Sequence, residues 1–368
     1  VCAGGCSVTP PPRAPLPKSI AEALDARVIG QAIAVEEMAI ALAKKLAGLP
    51  VGNVLLIGAS GTGKTTLMRA VEQYLATRDD LALKPVVVRM HANVLGEEAR
   101  RGRPGEAILA RLLARARDRL GPQATVEQML DDARRGIVFI DEVDKIRSRD
   151  GDIVNTTGIR AQEALLTVME NEAVPFVLPA WAGGKAVTVD SSGLLFVCAG
   201  AFEGLYDAVF DRVTVGRDKG ALKPMTVVED GQVQERLEFD LRAWLENEDL
   251  FDYGMSPQFL ARYDAVVLLE DLGLDELVRI FLDSPDSGFK HSQAYFARQG
   301  IKLALSPAAV RSIAREAAKA PRLGARALKE VFRRVIRRYE LDPEAHVERA
   351  ARAIVLDAPE IDAALSTR

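Results

Sequence analysis

Residues Asn53 to Thr66 read NVLLIGASGTGKTT, a short apolar strand running into a glycine-rich turn and then into a helix. Gly58, Gly63, Lys64 and Thr65 fill every fixed position of the phosphate-loop pattern G-x-x-x-x-G-K-[ST], and Val54 to Ile57 supply the strand that must precede it. The spacing has a chemical reason. Glycines let successive backbone N–H groups turn inward around a polyphosphate, and the helix starting near Lys64 points its positive dipole end at the same anion. The cradle is therefore predicted over Gly58, Ala59, Ser60, Gly61, Thr62, Gly63, Lys64, Thr65 and Thr66, with Lys64 on the outer phosphates and the Thr65 hydroxyl on Mg²⁺.

A second constellation follows at Gly136 to Asp144, GIVFIDEVD, where four apolar residues end in two carboxylates. Acids in that position sit where a parallel strand meets the ligand edge of its sheet. Asp141 is placed to hold Mg²⁺ through a water shell, and Glu142 to orient and deprotonate an attacking water. Acids that merely end a strand would read the same in isolation; the phosphate loop upstream favours the hydrolytic reading. Further buried strands are predicted at Val86 to Val88, Leu194 to Val197 and Ala265 to Leu269, making five in all. Their alternation with helices predicts an α/β fold with a mostly parallel sheet.

Working outward, the 368 residues, 48% apolar with net charge −4, allow two packed domains and exclude a disordered or collagen-like chain. No apolar run reaches bilayer length and the first residues show no basic-then-apolar signal pattern, so a cytoplasmic setting with no membrane partner is expected. The chain opens on Val1, as a truncated or processed protein does. Cys2 and Cys6 read as free thiols in a glycine-rich tail, because a structural zinc takes four ligands and no second pair or nearby His follows. Cys198 lies in an apolar run and reads as a small core residue. Prolines 10, 11, 12, 15 and 17 mark residues 1–17 as a flexible tail. From Gln31 to Ala47, Val35, Met38, Leu42 and Leu46 recur at helical spacing. Gly96 to Gly105, with Arg100, Arg101 and Arg103 and no large apolar residue, predicts a solvated loop. After Asp271 helix-period segments dominate, ending in the strand-like Ala353 to Leu356. On the longest of these helices Leu328, Val331, Phe332, Val335 and Ile336 form an apolar stripe. Arg333, Arg334, Arg337 and Arg338 crowd the other side, a solvated face in preference to a nucleic-acid site given the acidic chain.

The order of VIGQ (Val28 to Gln31), GASGTGKT, GIVFIDEVDKI, DSSGLLFVCAGAFEGL (Asp190 to Leu205), GMSPQFLARYDAVV (Gly254 to Val267) and LGARALKEV (Leu323 to Val331) resembles the AAA+ module of the ClpX family, with the HslU family nearest to it. The resemblance covers roughly residues 18–368. It implies a P-loop NTPase with a large ATPase domain over 18–270 and a smaller, mostly helical lid over 271–368. It also implies ATP and Mg²⁺ as cofactors, and a homo-hexameric ring that pulls polypeptide through a central pore. Residue by residue, Val28 and Ile29 match the adenine pocket, Arg262 the arginine finger reaching into a neighbouring subunit, and Arg326 the sensor-2 arginine of the lid. Guanidinium groups suit both roles, since charge spreads over the transferred phosphoryl group in the transition state.

Departures from the family bear on the client. The Gly-aromatic-hydrophobic-Gly pore loop falls on Ala99-Arg100-Arg101-Gly102, and a shift to Gly102-Arg103-Pro104-Gly105 restores no aromatic. Arg100, Arg101 and Arg103 become the candidate client-contacting residues, suited to polyanions or acidic segments and sensitive to salt. A loop that faces solvent and touches no client accounts for them equally well. Val213 to Gln232 lacks the Ile/Leu-Gly-Phe tripeptide, so docking on ClpP is not expected; the Arg-Lys-His loop is replaced by PAWAGGKAV (Pro179 to Val187), which offers Trp181 and Lys185. The four-cysteine zinc domain has no counterpart in these residues, and Cys198-Ala199-Gly200 offers no polar sensor-1 side chain. The first reading is an ATP-driven remodeller of a protein client. The rivals are a nucleic-acid motor or loader and an ATP-controlled assembly scaffold.

Overall fold

Five apolar runs form the central sheet: β1 (Asn53–Ile57), β2 (Val87–His91), β3 (Ile137–Asp141), β4 (Leu195–Gly200) and β5 (Tyr263–Leu268). The structure, a computed structural model, describes residues 14–81, 83–101, 105–151, 153–170, 173–216, 225–229, 232–236, 239–348 and 351–366. Expectations for Cys2, Cys6, the prolines up to residue 12, Arg103, and the centre of the docking-loop segment lie outside the described residues. The strands run in the order β5-β1-β4-β3-β2, and every neighbouring pair is parallel, as the alternation of strands and helices predicts. All six residues of β4 are buried, as a strand covered on both faces requires, whereas β2 at the edge alternates. Cys198, on β4, is fully buried and its thiol is pushed up to about 12 by that burial, in keeping with a core role.

Packing divides the chain into two compact units. One holds Ala41–Ile57 and Asp79–Leu268; the other holds Leu16–Ile40, Gly58–Arg78 and Leu269–Arg368. The sheet belongs to the first. The glycine-rich loop and the helix after it belong to the second, with the C-terminal helices.

In the sheet unit, helix α4 (Asn93–Arg100) corrects the prediction of a solvated loop over Gly96 to Gly105, because its first half of that span is helical. The sequence there is polar, yet tertiary packing overrides it. Leu95 is fully buried, and Gly96 lets α4 lie against α6 (Thr156–Glu170), where a Cβ would come within 2.9 Å of Thr157 Cγ2. Glu98 reaches forward to accept the Ala107 N–H in the first turn of α5 (Glu106–Leu120), and burial raises its carboxyl above the ordinary range.

The second unit contains α1 (Pro17–Asp25), α3 (Lys64–Ala76) and the helices α7 (Leu274–Asp283), α8 (Gly288–Arg298), α9 (Pro307–Ala318), α10 (Ala325–Leu341) and α11 (Ala358–Ser366). Helix α2 (Ala32–Leu46) passes from one unit into the other. Two short parallel strands, β6 (Lys302–Leu305) and β7 (Ala353–Leu356), pair beside the C-terminal helices. The apolar stripe of α10 is buried, and Phe332 meets Phe281 edge-on at 5.1 Å between ring centroids. Among the described residues no helix is long and apolar enough to cross a membrane.

In the sheet unit Lys45, near the end of α2, is buried and donates to the Gly193 carbonyl. Burial, aided by the Arg135 charge, lowers its pKa to about 8. An unfolded chain keeps this proton up to about 10.4, so the charged form costs the folded state stability below pH 8 and the cost is relieved as pH rises from 8 to 10. The stability of the parent, measured by urea unfolding, is expected to gain on that of Lys45→Met as pH rises from 8 to 10; a difference constant across that window would contradict the buried ammonium.

Candidate nucleotide-hydrolysis site

The glycine-rich loop opens at Gly58, directly after the last residue of β1, and closes at Lys64, the first residue of α3. Gly61 and Gly63 adopt φ of +79° and +113°, a region that residues with a Cβ rarely enter. The loop commits its carbonyls to the protein. The Lys64 ammonium donates to the Gly58 and Ala59 carbonyls, the latter at 2.8 Å, and the Thr62 hydroxyl donates to Ala59 O at 2.9 Å. The side chain of Gln31 donates to Thr62 O at 2.9 Å. The backbone N–H of Ala325, at the start of α10, donates to Gly61 O at 3.1 Å.

That last bond brings two backbones into close approach. A Cβ on Gly61 would lie 2.3 Å from Leu323 O, and one on Gly324 would lie 2.7 Å from Gly61 O. Gly324 itself has φ 49° and ψ −135°, a conformation confined to glycine. Arg326 follows as an exposed residue on the first turn of α10, so the loop and the segment carrying Arg326 are joined directly. Val28 is buried, with Cγ1 3.9 Å from where a Cβ on Gly63 would stand, and Ile29 is half-buried beside it in the chain. Ala59, Ser60 and Thr65 are half-buried, Thr62 is buried and Thr66 is exposed.

The carboxylates belong to the sheet unit. Asp141 ends β3 and its side chain accepts the Glu142 N–H at 3.0 Å. Glu142 adopts φ 60° and ψ 38°, a left-handed conformation that costs a residue with a Cβ on the order of 1 kcal/mol. Its Oε2 lies 3.7 Å from His91 Nδ1, and His91 ends β2 in register with Asp141. Nothing in the sequence marks His91; only the strand order puts it beside the acids. Asp144, which is buried, accepts the Ala201 N–H at 3.2 Å and so ties the turn after β3 to the end of β4.

Arg262 lies elsewhere. It immediately precedes β5, at the amino edge of a parallel sheet whose carboxyl edge bears Asp141, roughly 20 Å away along a strand of this length. Its Nε is ion-paired with Glu170, and its carbonyl accepts from Asn53 Nδ2 at 2.9 Å. Arg100 and Arg101 are exposed at the end of α4, and Arg100 Nη2 donates to Thr157 Oγ1 at 2.9 Å.

The residues fit the groups expected of them. The loop has left-handed glycines, a lysine and a helix N-terminus for a polyphosphate. Mg²⁺ is an ion held by one or two protein oxygens together with phosphates and water, and the Thr65 hydroxyl and the Asp141 carboxylate are oxygens of that kind. A phosphate loop after the first strand of a parallel α/β sheet, with a carboxylate pair ending the next strand but one, defines a P-loop nucleoside triphosphatase. Residues 54–214 match the ATPase family associated with various cellular activities (AAA). Similar relatives are the ATP-dependent Clp protease ATP-binding subunit ClpX 3 of Methylococcus capsulatus, 31% identical over 95% of this chain and 80% of its own, and the ClpX subunit of Azotobacter vinelandii, 30% identical over 84% and 70%. That of Treponema denticola is 28% identical over 88% and 76%. The chain belongs to the ClpX-like AAA+ ATPases, and it is an ATPase.

Gly324→Ala is expected to weaken ATP binding at least tenfold, because the added Cβ must push α10 off Gly61. Titration with a fluorescent ATP analogue checks this, and unchanged affinity would show that the Gly61–Gly324 contact is dispensable.

Proposed function

We propose that this chain assembles with copies of itself into a ring, a hexamer as in the ClpX-like proteins, and uses ATP hydrolysis to remodel a protein client. In this reading Val28 and Ile29 line the adenine, residues Gly58 to Thr66 cradle the phosphates, and Lys64 neutralises the outer ones. Thr65 and Asp141 would hold Mg²⁺, which supplies charge neutralisation at the phosphate oxygens. Glu142 orients the attacking water and takes its proton, and Arg326 steadies the phosphates from the chain's own α10.

The observation that carries the ring is the position of Arg262. At the amino edge of the sheet it is remote from Asp141 and Glu142 of its own chain, so a role at phosphate requires a neighbour's site. Its partial exposure and ion pair with Glu170 are compatible with that role, because a half-exposed pair of this kind is worth only about 0–1 kcal/mol and yields readily to a phosphate. Work without ClpP is inferred from the missing Ile/Leu-Gly-Phe tripeptide.

Three variants test the roles. Lys64→Ala should lose tight ATP binding, and Glu142→Gln should bind ATP while turning it over at least a hundredfold more slowly. Rings mixed from inactive Arg262→Ala and inactive Glu142→Gln chains should regain activity, since some junctions then pair an intact glutamate with an intact arginine; mixtures as inactive as their components would rule out Arg262 acting in trans.

A polyanion motor is the second reading, favoured by the exposure of Arg100 and Arg101. Steady-state ATP hydrolysis separates the two. Stimulation by an unfolded polypeptide that survives added salt is the expected result. Stimulation confined to single-stranded DNA and fading with salt would replace the protein client by nucleic acid.

A further inference from the structure

Gln31 is almost fully buried, with 2% of its surface exposed, and its side-chain amide makes three hydrogen bonds to backbone groups. Nε2 donates to Thr62 O at 2.9 Å and to Glu270 O at 2.8 Å, and Oε1 accepts the Glu270 N–H at 2.9 Å. Both amide hydrogens are thereby used. The pair of bonds to Glu270 holds its N–H and C=O as a neighbouring strand would. The single bond to Thr62 holds the phosphate loop from its carbonyl side. Leu269 packs close to the same loop, since a Cβ on Gly58 would lie 2.8 Å from Leu269 Cβ. Gly30, at φ +77°, turns the chain so that Gln31 faces inward, and a Cβ there would lie 2.8 Å from Glu276 Cγ on α7. The turn carrying Gln31 is thus enclosed by the loop, by residues 269–270 and by α7.

From this we infer that Gln31 is a positioning residue that couples the phosphate loop to the first C-terminal residues, so that nucleotide at the loop is sensed at Glu270 and by α7 beyond it. The inference rests on the ATP site assigned above. Its mechanism is specific to an amide. A shift of the loop displaces Thr62 O, and the planar amide transmits that displacement to both backbone groups of Glu270, because all three bonds share one rigid group. Loop movement without movement at Glu270 would leave a buried carbonyl unpaired, which is costly.

Gln31→Glu is the sharpest variant. It keeps the shape and the acceptor for Glu270 N–H but sets a carboxylate oxygen against two carbonyls. Gln31→Met removes all three bonds without adding charge and serves if the glutamate variant fails to fold. In the full-length chain, with Mg²⁺ and ADP as the probe, hydrogen exchange of the parent should slow on ADP addition both at Gly58 to Thr65 and at Glu270 to Leu274. In the variants ADP affinity should fall about tenfold or more. At ADP concentrations that saturate them, slowing should persist at the loop and be lost at Glu270 to Leu274. Retained slowing at Glu270 to Leu274 overturns the coupling, whatever the affinity does, and so does a parent that binds ADP with no slowing there. A parent whose ADP binding survives Lys64→Ala instead overturns the nucleotide-site assignment, and the coupling falls with it.

Discussion

A loop that wraps an anion with its backbone N–H groups must send its carbonyls the other way, and every carbonyl removed from water has to find a donor. In this protein the donors come from three sources: the loop's own Lys64 and Thr62, the Gln31 side chain, and the first backbone N–H of α10. Two of the three lie outside the loop, on segments that pack with the C-terminal helices. This explains why the loop and α3 form one compact unit with those helices although their sequence continues directly from β1. The glycines at 61 and 324 follow from the same close approach, because a Cβ on Gly61 would lie 2.3 Å from Leu323 O and one on Gly324 would lie 2.7 Å from Gly61 O.

The parallel sheet sorts the remaining chemistry by strand end. Asp141, Glu142 and His91 gather at the carboxyl edge, where the backbone turns out of the strands, and the left-handed turn at Glu142 aims its carboxylate toward His91. Strain of this kind persists only where surrounding bonds hold it, and here Asp141 accepts the Glu142 N–H while Asp144 anchors the following turn to Ala201. The amino edge carries Arg262. Sequence distance conceals this separation; strand direction reveals it.

What could be read from the chain follows the range of each interaction. The loop, the acids after β3 and the five strands were legible because their signals are local: fixed spacing, apolar runs and residue types with one dominant chemistry. The buried stripe of α10 was legible for the same reason. His91 was not, since a histidine at the end of a strand carries no signal until β2 is known to lie beside β3. Gln31 lay within a recognised motif, yet its bonds reach partners 31 and 239 residues away. The helix through Gly96 to Arg100 was missed because its polar composition argues for solvent, while packing on α6 decides the matter.

That helix also bears on how a client could be held. The Glu98 side chain accepts the Ala107 N–H and its own carbonyl accepts the Arg101 N–H, so one residue holds both the end of α4 and the start of α5. Arg100 is tied further, through Thr157, to α6. Arg100 and Arg101 therefore stand exposed at the end of a packed helix. They present charge from a fixed frame, and charge attracts over a distance that salt shortens, whereas a packed aromatic grips only on contact and is indifferent to salt.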